Sequence, residues 1–146
     1  MTDNALLPII DDINAPYWHG CREGILRMQQ CPVSKRLIFP PRAVNPWSPR
    51  DKAVWTEVCG RGTIWSVIAP HAPLMLDFTL LAPYNAIVVA LDEDPTIRLI
   101  GNLVPEAGAP INAIAYDDIA IGTQVAVVFE RINEEITLPR WTALVH

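Results

Sequence analysis

Histidine and cysteine are scarce in this chain, and the scarcity removes whole classes of chemistry. Three of each occur among 146 residues. Cys21, Cys31 and Cys59 are odd in number and lack framework spacing, so no disulfide scaffold is expected, and a reduced, cytoplasmic protein is the expectation. A Cys–His enzyme needs a thiol, a base and an orienting group. The one near pair, His19 and Cys21, stands at i, i+2, which points to different sides of a helix. Basic charge is also short. Eleven Lys and Arg against sixteen Asp and Glu leave a formal charge of −5. Phosphate neutralisation supplies most nucleic-acid affinity, so no nucleic-acid partner is expected. Long apolar runs are missing as well. From Ser66 to Leu91 the chain is apolar, but Pro70, His71, Pro73, Asp77 and Pro83 interrupt it. A spanning helix needs about 20 unbroken apolar residues, so no membrane span is expected. No basic segment followed by an apolar stretch opens the chain, so no secretory leader is expected.

What the chain does have is apolar surplus. It is 51% hydrophobic with a mean hydropathy of +0.22, enough to fill a core and leave apolar surface for a partner. Residues 1–13 show no periodicity and read as a flexible arm. Asn14 can cap a short helix that tolerates Pro16 in its first turn and stops at Gly24, with Trp18, Cys21 and Ile25 on one face. Beyond residue 52 the pattern becomes strand-like. Ala53–Val58 runs through Gly60-Arg61-Gly62 into Thr63–Ala69 as one long strand bent at glycines. Asn85–Leu91 follows. The turn Asp92-Glu93-Asp94-Pro95 then leads into Thr96–Val104, which sets Ile97, Leu99, Gly101 and Leu103 against Arg98, Ile100 and Asn102. An irregular crossover, 105–122, precedes a final pair, Thr123–Ile132 and Glu135–Leu144. The expectation is a mainly β fold: a five-stranded Greek-key barrel of the OB type over 53–146, preceded over 14–52 by a helix and a two-turn region.

The two turns resemble an emptied metal site. Cys31-Pro32-Val33-Ser34 and Asn45-Pro46-Trp47-Ser48 are separated by ten residues, the layout in which two knuckles of a zinc ribbon supply four thiolates. One position is still cysteine. The others are Ser34, Asn45 and Ser48, whose neutral hydroxyls and amide replace thiolates poorly on a borderline-soft ion. Neither Cys21, Cys59 nor a histidine has ligand spacing to Cys31. No zinc or other metal is therefore expected, and packing of Phe39, Trp47 and Trp55 with hydrogen bonds from Ser34, Asn45 and Ser48 is expected to hold the turns.

A set of ordered motifs links these parts. They are Pro16-Tyr17-Trp18-His19-Gly20-Cys21-Arg22-Glu23-Gly24, the two turns, Phe39-Pro40-Pro41-Arg42, Gly60-Arg61-Gly62-Thr63-Ile64-Trp65-Ser66, Gly101-Asn102, Gly122, Val127-Val128-Phe129-Glu130 and Leu138-Pro139. In this order the chain, over residues 14–141, resembles the bacterial and archaeal proteins that join an N-terminal helix and a rubredoxin-like zinc ribbon to an OB-fold domain and accompany acyl-CoA enzymes. The resemblance implies a small non-catalytic accessory subunit in a hetero-oligomer. Its partner would be a thiolase-like enzyme (a thiolase or a steroid side-chain aldolase of the same fold) or a hot-dog-fold hydratase. The helix and ribbon would dock on the enzyme, and the OB domain would help enclose the CoA-ester channel. The zinc role does not carry over, and no tightly bound cofactor is expected.

Within that frame Tyr17, Trp18, Arg22, Phe39, Trp47 and His71 are the candidate partner contacts, each of which could equally be core or loop. His71 sits in a long loop, 70–83, with Met75, Phe78 and Leu80. Arg42 and Arg61 are the candidate contacts for a CoA phosphate, or else surface arginines. Lys35, Arg36, Arg42, Arg50 and Lys52 gather around the two turns, as a solvated loop or as a local anion site. Two other readings stay open: a stand-alone acyl-CoA or acyl-chain binding module, and an OB protein for single-stranded nucleic acid, which would need a positive groove with stacking aromatics.

Overall fold

The computed structural model describes residues 7–71 and 73–144, and residues 1–6, 72, 145 and 146 lie outside it. Most of the expected arm, and His146, therefore fall outside the described residues. Just before the helix, Asn14 closes a turn rather than capping with its side chain. Its Oδ1 accepts the Asp11 N–H at 2.8 Å and its Nδ2 donates to the Ile9 carbonyl at 3.1 Å. Helix α1 (Ala15–Glu23) begins there with proline in its first turn and ends at Gly24, whose N–H bonds back to the Cys21 carbonyl. Its buried residues are Tyr17, Gly20 and Cys21. This face lies one position from the expected one, and Trp18 sits at its margin.

Two antiparallel sheets follow. The first orders its strands β2-β1-β3: β1 (Leu26–Gln30) is flanked by β2 (Leu37–Ile38) and β3 (Val54–Val58). The second orders β6-β5-β4-β7-β8: β4 (Arg61–Ile68), β5 (Ala86–Leu91), β6 (Arg98–Gly101), β7 (Gln124–Arg131) and β8 (Thr137–Ala143). The long bent strand expected from 53 to 69 is thus divided. Its first half, β3, pairs with β1 in the ribbon sheet, and its second half, β4, enters the barrel. The division falls at Gly60, which has φ 74°, and a Cβ there would stand 2.5 Å from Val127 Cγ1. Only glycine takes that backbone and that contact together without strain. The acidic turn 92–95 locks the same corner, because Glu93 Oε1 accepts the Cys59 N–H at 2.6 Å.

Alternation places the core. In β5, Ile87, Val89 and Leu91 point inward, and along the β5–β6 hairpin Ile97, Leu99 and Leu103 are buried while Ile100 is exposed, as strand periodicity requires. The far edges of the barrel sheet meet through one parallel bridge between Leu103 and Trp141. Trp141 N–H donates to the Asn102 carbonyl at 3.0 Å and its carbonyl accepts the Val104 N–H at 2.8 Å. The curled sheet and this closure give the OB-type barrel. A short helix, α2 (Leu76–Thr79), and a 3₁₀ turn (Tyr116–Asp118) lie in the connections. No helix among the described residues is long and apolar enough to cross a membrane.

One hydrophobic cluster runs through both sheets. It joins Leu26, Met28, Leu37 and Val58 of the ribbon sheet to Ile64, Ile87, Val89, Val125 and Trp141 of the barrel. Tyr17 and Cys21 complete it from α1, which packs on β1, β7 and β8. The ribbon is therefore fastened to the barrel by shared apolar burial.

Candidate functional site

The helix, the ribbon and the β5–β6 hairpin form one flank of the molecule, and most of the expected contact residues lie on it. The Tyr17 ring meets Trp18 edge-on at 4.9 Å and Phe39 at 5.7 Å. Tyr17 itself is buried, and that burial, followed by the nearby Cys21 sulfur, pushes its phenol far above the ordinary range. Trp18 and Phe39 are partly buried against the core. Beside them opens a groove of about 310 Å³ lined by Phe39, Arg42, Trp47 and Arg36, with Thr96 and Ile97 across from the hairpin. Trp47 is half exposed, its indole Nε1 donates to the Leu37 carbonyl at 3.4 Å, and the Arg36 guanidinium stacks 3.5 Å from its ring centroid. The stack holds a large amphipathic surface in one orientation. Arg42 is exposed, and Gln29 holds its backbone, with the Arg42 N–H donating to Gln29 Oε1 at 2.7 Å and the Arg42 carbonyl accepting from Gln29 Nε2 at 3.0 Å.

The remaining candidates lie elsewhere. Arg22 lines a separate cleft with Phe129, Arg131 and Thr137. Arg61 is exposed at the start of β4, where its carbonyl accepts the Asp92 N–H at 3.0 Å, and it does not line the Trp47 groove. His71 borders a hollow of about 400 Å³ with Tyr84, Tyr116 and Asp117. Its Nδ1 donates to the Ala69 carbonyl at 2.7 Å.

The two turns converge as the spacing implies. In the first, Cys31 Sγ accepts the Ser34 N–H at 3.5 Å, the Lys35 N–H donates to the Cys31 carbonyl at 2.9 Å, and Lys35 takes φ 66°. In the second, Asn45 Oδ1 accepts the Trp47 N–H at 2.9 Å and the Ser48 N–H at 3.3 Å. Asn45 Nδ2 donates to the Asp51 carbonyl at 2.9 Å, and Ser48 Oγ donates to Asp51 Oδ2. Hydrogen bonds from the Ser34 side chain, then the Asn45 side chain, then the Ser34 backbone hold the Cys31 thiol down to about 7. Cys31 is closed to solvent, and desolvation opposes this shift less than the hydrogen bonds favour it. These donors do not fit zinc, because one thiol, two hydroxyls and an amide lack the charge and softness of a structural site. Among the described residues no group of three or more His, Cys, Asp or Glu could hold a metal ion.

The other two thiols are held protonated, for different reasons. Burial pushes the Cys21 thiol up to about 12. Cys59 is exposed but also raised, first by desolvation and then by Glu93. One thiol per native chain, Cys59, is expected to react slowly with an aromatic disulfide reagent, and all three in denaturant. Fast reaction of two or three thiols in the native state would contradict this burial pattern.

Sequence reasoning missed Asn85. It is fully buried at the entry to β5, donates to the Leu103 and Ile114 carbonyls at 2.9 and 3.1 Å, and accepts the Leu103 N–H at 2.7 Å. Asn102 continues the chain of bonds: its Nδ2 donates to the Asn85 carbonyl and its Oδ1 accepts from Arg140, which also pairs with Glu130 at 3.1 Å. The only signal was a polar residue heading an apolar strand. Asn102 and Glu130 stood within the quoted motifs, but their connection is visible only in three dimensions.

Residues 55–130 match the family model for the C-terminal OB-fold domain of ChsH2. A solved structure described as the Ltp2–ChsH2(DUF35) aldolase is similar over 95% of this chain and 100% of that chain, with a TM-score of 0.77 and 30% identity. No curated protein sequence matches the chain.

Proposed function

Because the chain belongs to the family of the ChsH2 C-terminal OB-fold domain, we propose that it is a non-catalytic accessory subunit of a thiolase-superfamily aldolase or thiolase acting on acyl-CoA esters. The observation that carries this reading is the end-to-end likeness to a chain of an aldolase complex, over 95% of this chain and all of that one. Solvent exclusion of two thiols and the raised pKa of the third support it, since Cys21 and Cys31 are closed to solvent and Cys59 is held protonated. The flank carrying Trp18, Phe39, Arg42 and Trp47 is the proposed docking surface, because a half-exposed tryptophan stacked on arginine is the kind of group that anchors interfaces. The basic groups Arg36 and Arg42 in the groove, and Arg61 separately, are the proposed contacts for CoA phosphates.

Capture of the chain from native lysate at moderate salt is expected to bring down a larger thiolase-fold enzyme in stoichiometric amount. That enzyme expressed alone should be poorly soluble or inactive on acyl-CoA esters. Full activity of the enzyme without this chain would count against the proposal. Within the complex, Trp47→Ala is expected to weaken association about 10-fold or more. The free subunit should keep its melting temperature, since Trp47 lies outside the shared core. Unchanged affinity would remove the groove from the docking surface.

A further inference from the structure

We propose that the ribbon is a metal-free replica of a two-knuckle site. In this replica the Asn45 carboxamide stands in for a metal-bound sulfur, and the backbone is held so that restoring the thiols would restore metal binding. In each turn the side chain of the leading residue collects the amide hydrogens that follow it. Cys31 Sγ takes the Ser34 N–H, and Asn45 Oδ1 takes those of Trp47 and Ser48. A metal-bound thiolate needs such N–H groups to orient it and spread its charge. A neutral amide oxygen accepts the same two bonds without a cation to balance it. Asn45 then does what a sulfur cannot, because Nδ2 donates to the Asp51 carbonyl and ties off the loop. At 3% exposure the group is nearly sealed, and a buried amide persists only if its bonds are made. Ser48 passes its hydroxyl hydrogen to Asp51, so the fourth position is also satisfied. The first turn keeps its tight form through the positive φ of Lys35 and the Lys35 N–H bond to the Cys31 carbonyl.

Rigidity that zinc supplies elsewhere comes here from this polar knot and from Leu26, Met28, Leu37 and Val58 in the shared core. The fold of the ribbon is therefore independent of metal, while the positions of Cys31, Ser34, Asn45 and Ser48 are retained.

Three measurements on the full-length chain test this. The natural protein should carry no stoichiometric zinc and melt at the same temperature with and without a strong chelator. One zinc per chain, with chelator-sensitive melting, would overturn the proposal. Asn45→Ala should lower the melting temperature by roughly 5–10 °C, from the loss of three hydrogen bonds at a sealed site. An unchanged melting temperature would deny Asn45 its role. The variant S34C/N45C/S48C, reduced and free of oxygen, should bind one cobalt(II) per chain with the intense visible absorption of a tetrahedral thiolate site. A folded triple variant without that spectrum would overturn the retained geometry. Should the variant be unfolded as purified, added zinc is expected to fold it, because binding energy then becomes folding energy. Failure to fold with zinc would equally overturn the retained geometry.

Discussion

Trp141→Ala should destabilise the chain by about 3–5 kcal/mol, the range for emptying a large buried aromatic. The corresponding fall in melting temperature is roughly 10–15 °C for a chain of this size. Trp141 is the largest fully buried side chain, at 1% exposure. It also sits where the barrel closes, since its backbone makes both bonds to the end of β6 while its indole packs over Gly101. A Cβ on Gly101 would lie 2.8 Å from the indole Cδ1, so the glycine and the tryptophan are fitted to each other. Truncation opens a cavity next to the parallel bridge between Leu103 and Trp141, leaving the Arg140–Asn102 and Thr142–Pro105 hydrogen bonds to hold the seam without the indole beneath them. Trp141→Phe should cost less than half as much. Thermal and urea melts of the three proteins check this, and a Trp141→Ala chain within 1 kcal/mol of the natural one would mean that the closure does not depend on the indole.

The second large effect is expected at Asn85. Asn85→Leu keeps the branching and heavy-atom count but leaves the Leu103 N–H and the Leu103 and Ile114 carbonyls without their partner. Each orphaned buried group costs about 1–3 kcal/mol, so a loss of about 3–5 kcal/mol is expected. Asn85→Asp makes the argument sharper. One carboxylate oxygen can still accept the Leu103 N–H, but the other confronts two carbonyl oxygens in a site closed to water. Burial and those oxygens favour the protonated form, so the folded-state pKa rises above the unfolded value of about 3.9. A raised folded pKa means stability fully present below the unfolded pKa and lost as pH rises through the folded one. The variant should therefore differ least from the natural protein near pH 4 and most near pH 8. Parallel urea titrations across that range measure the difference. A pH-independent gap, or one that widens toward acid, would show that Asn85 donates to nothing essential.

Both sites show why strands are easier to foresee than connections. Ile87, Val89, Leu91, Ile97 and Leu99 alternate in sequence and are buried in the same alternation, because side-chain direction in a strand is local. Helix α1 was legible from Pro16 and Gly24, whereas Asn14 precedes it without the side-chain cap expected of it. Its buried face was displaced onto Tyr17, because the packing partners β1, β7 and β8 choose the face and none is local. The division of the bent strand was illegible for a similar reason. Val54–Val58 looks like β4 in composition, yet it pairs with β1. Pairing depends on which edge is free, and a single strand's residues do not encode that.

Sequence alone determined the class of this protein, a mainly β fold of OB type, and the acidic charge of the chain; it also marked two four-residue turns whose spacing resembles that of a two-knuckle metal site. Spacing and residue chemistry decide such matters, because a hydroxyl is a weak zinc ligand wherever it sits. Tertiary structure decided how the two turns are held and which expected contacts share a surface. Asn45 became the centre of a hydrogen-bonded knot because the amides of its own turn and the Asp51 carbonyl converge on it. Phe39, Arg42 and Trp47 became one groove with Thr96 and Ile97 because a shared core draws the ribbon against the β5–β6 hairpin. Burial and convergence are properties of the folded chain, summed over residues far apart in sequence, and only the folded chain displays them.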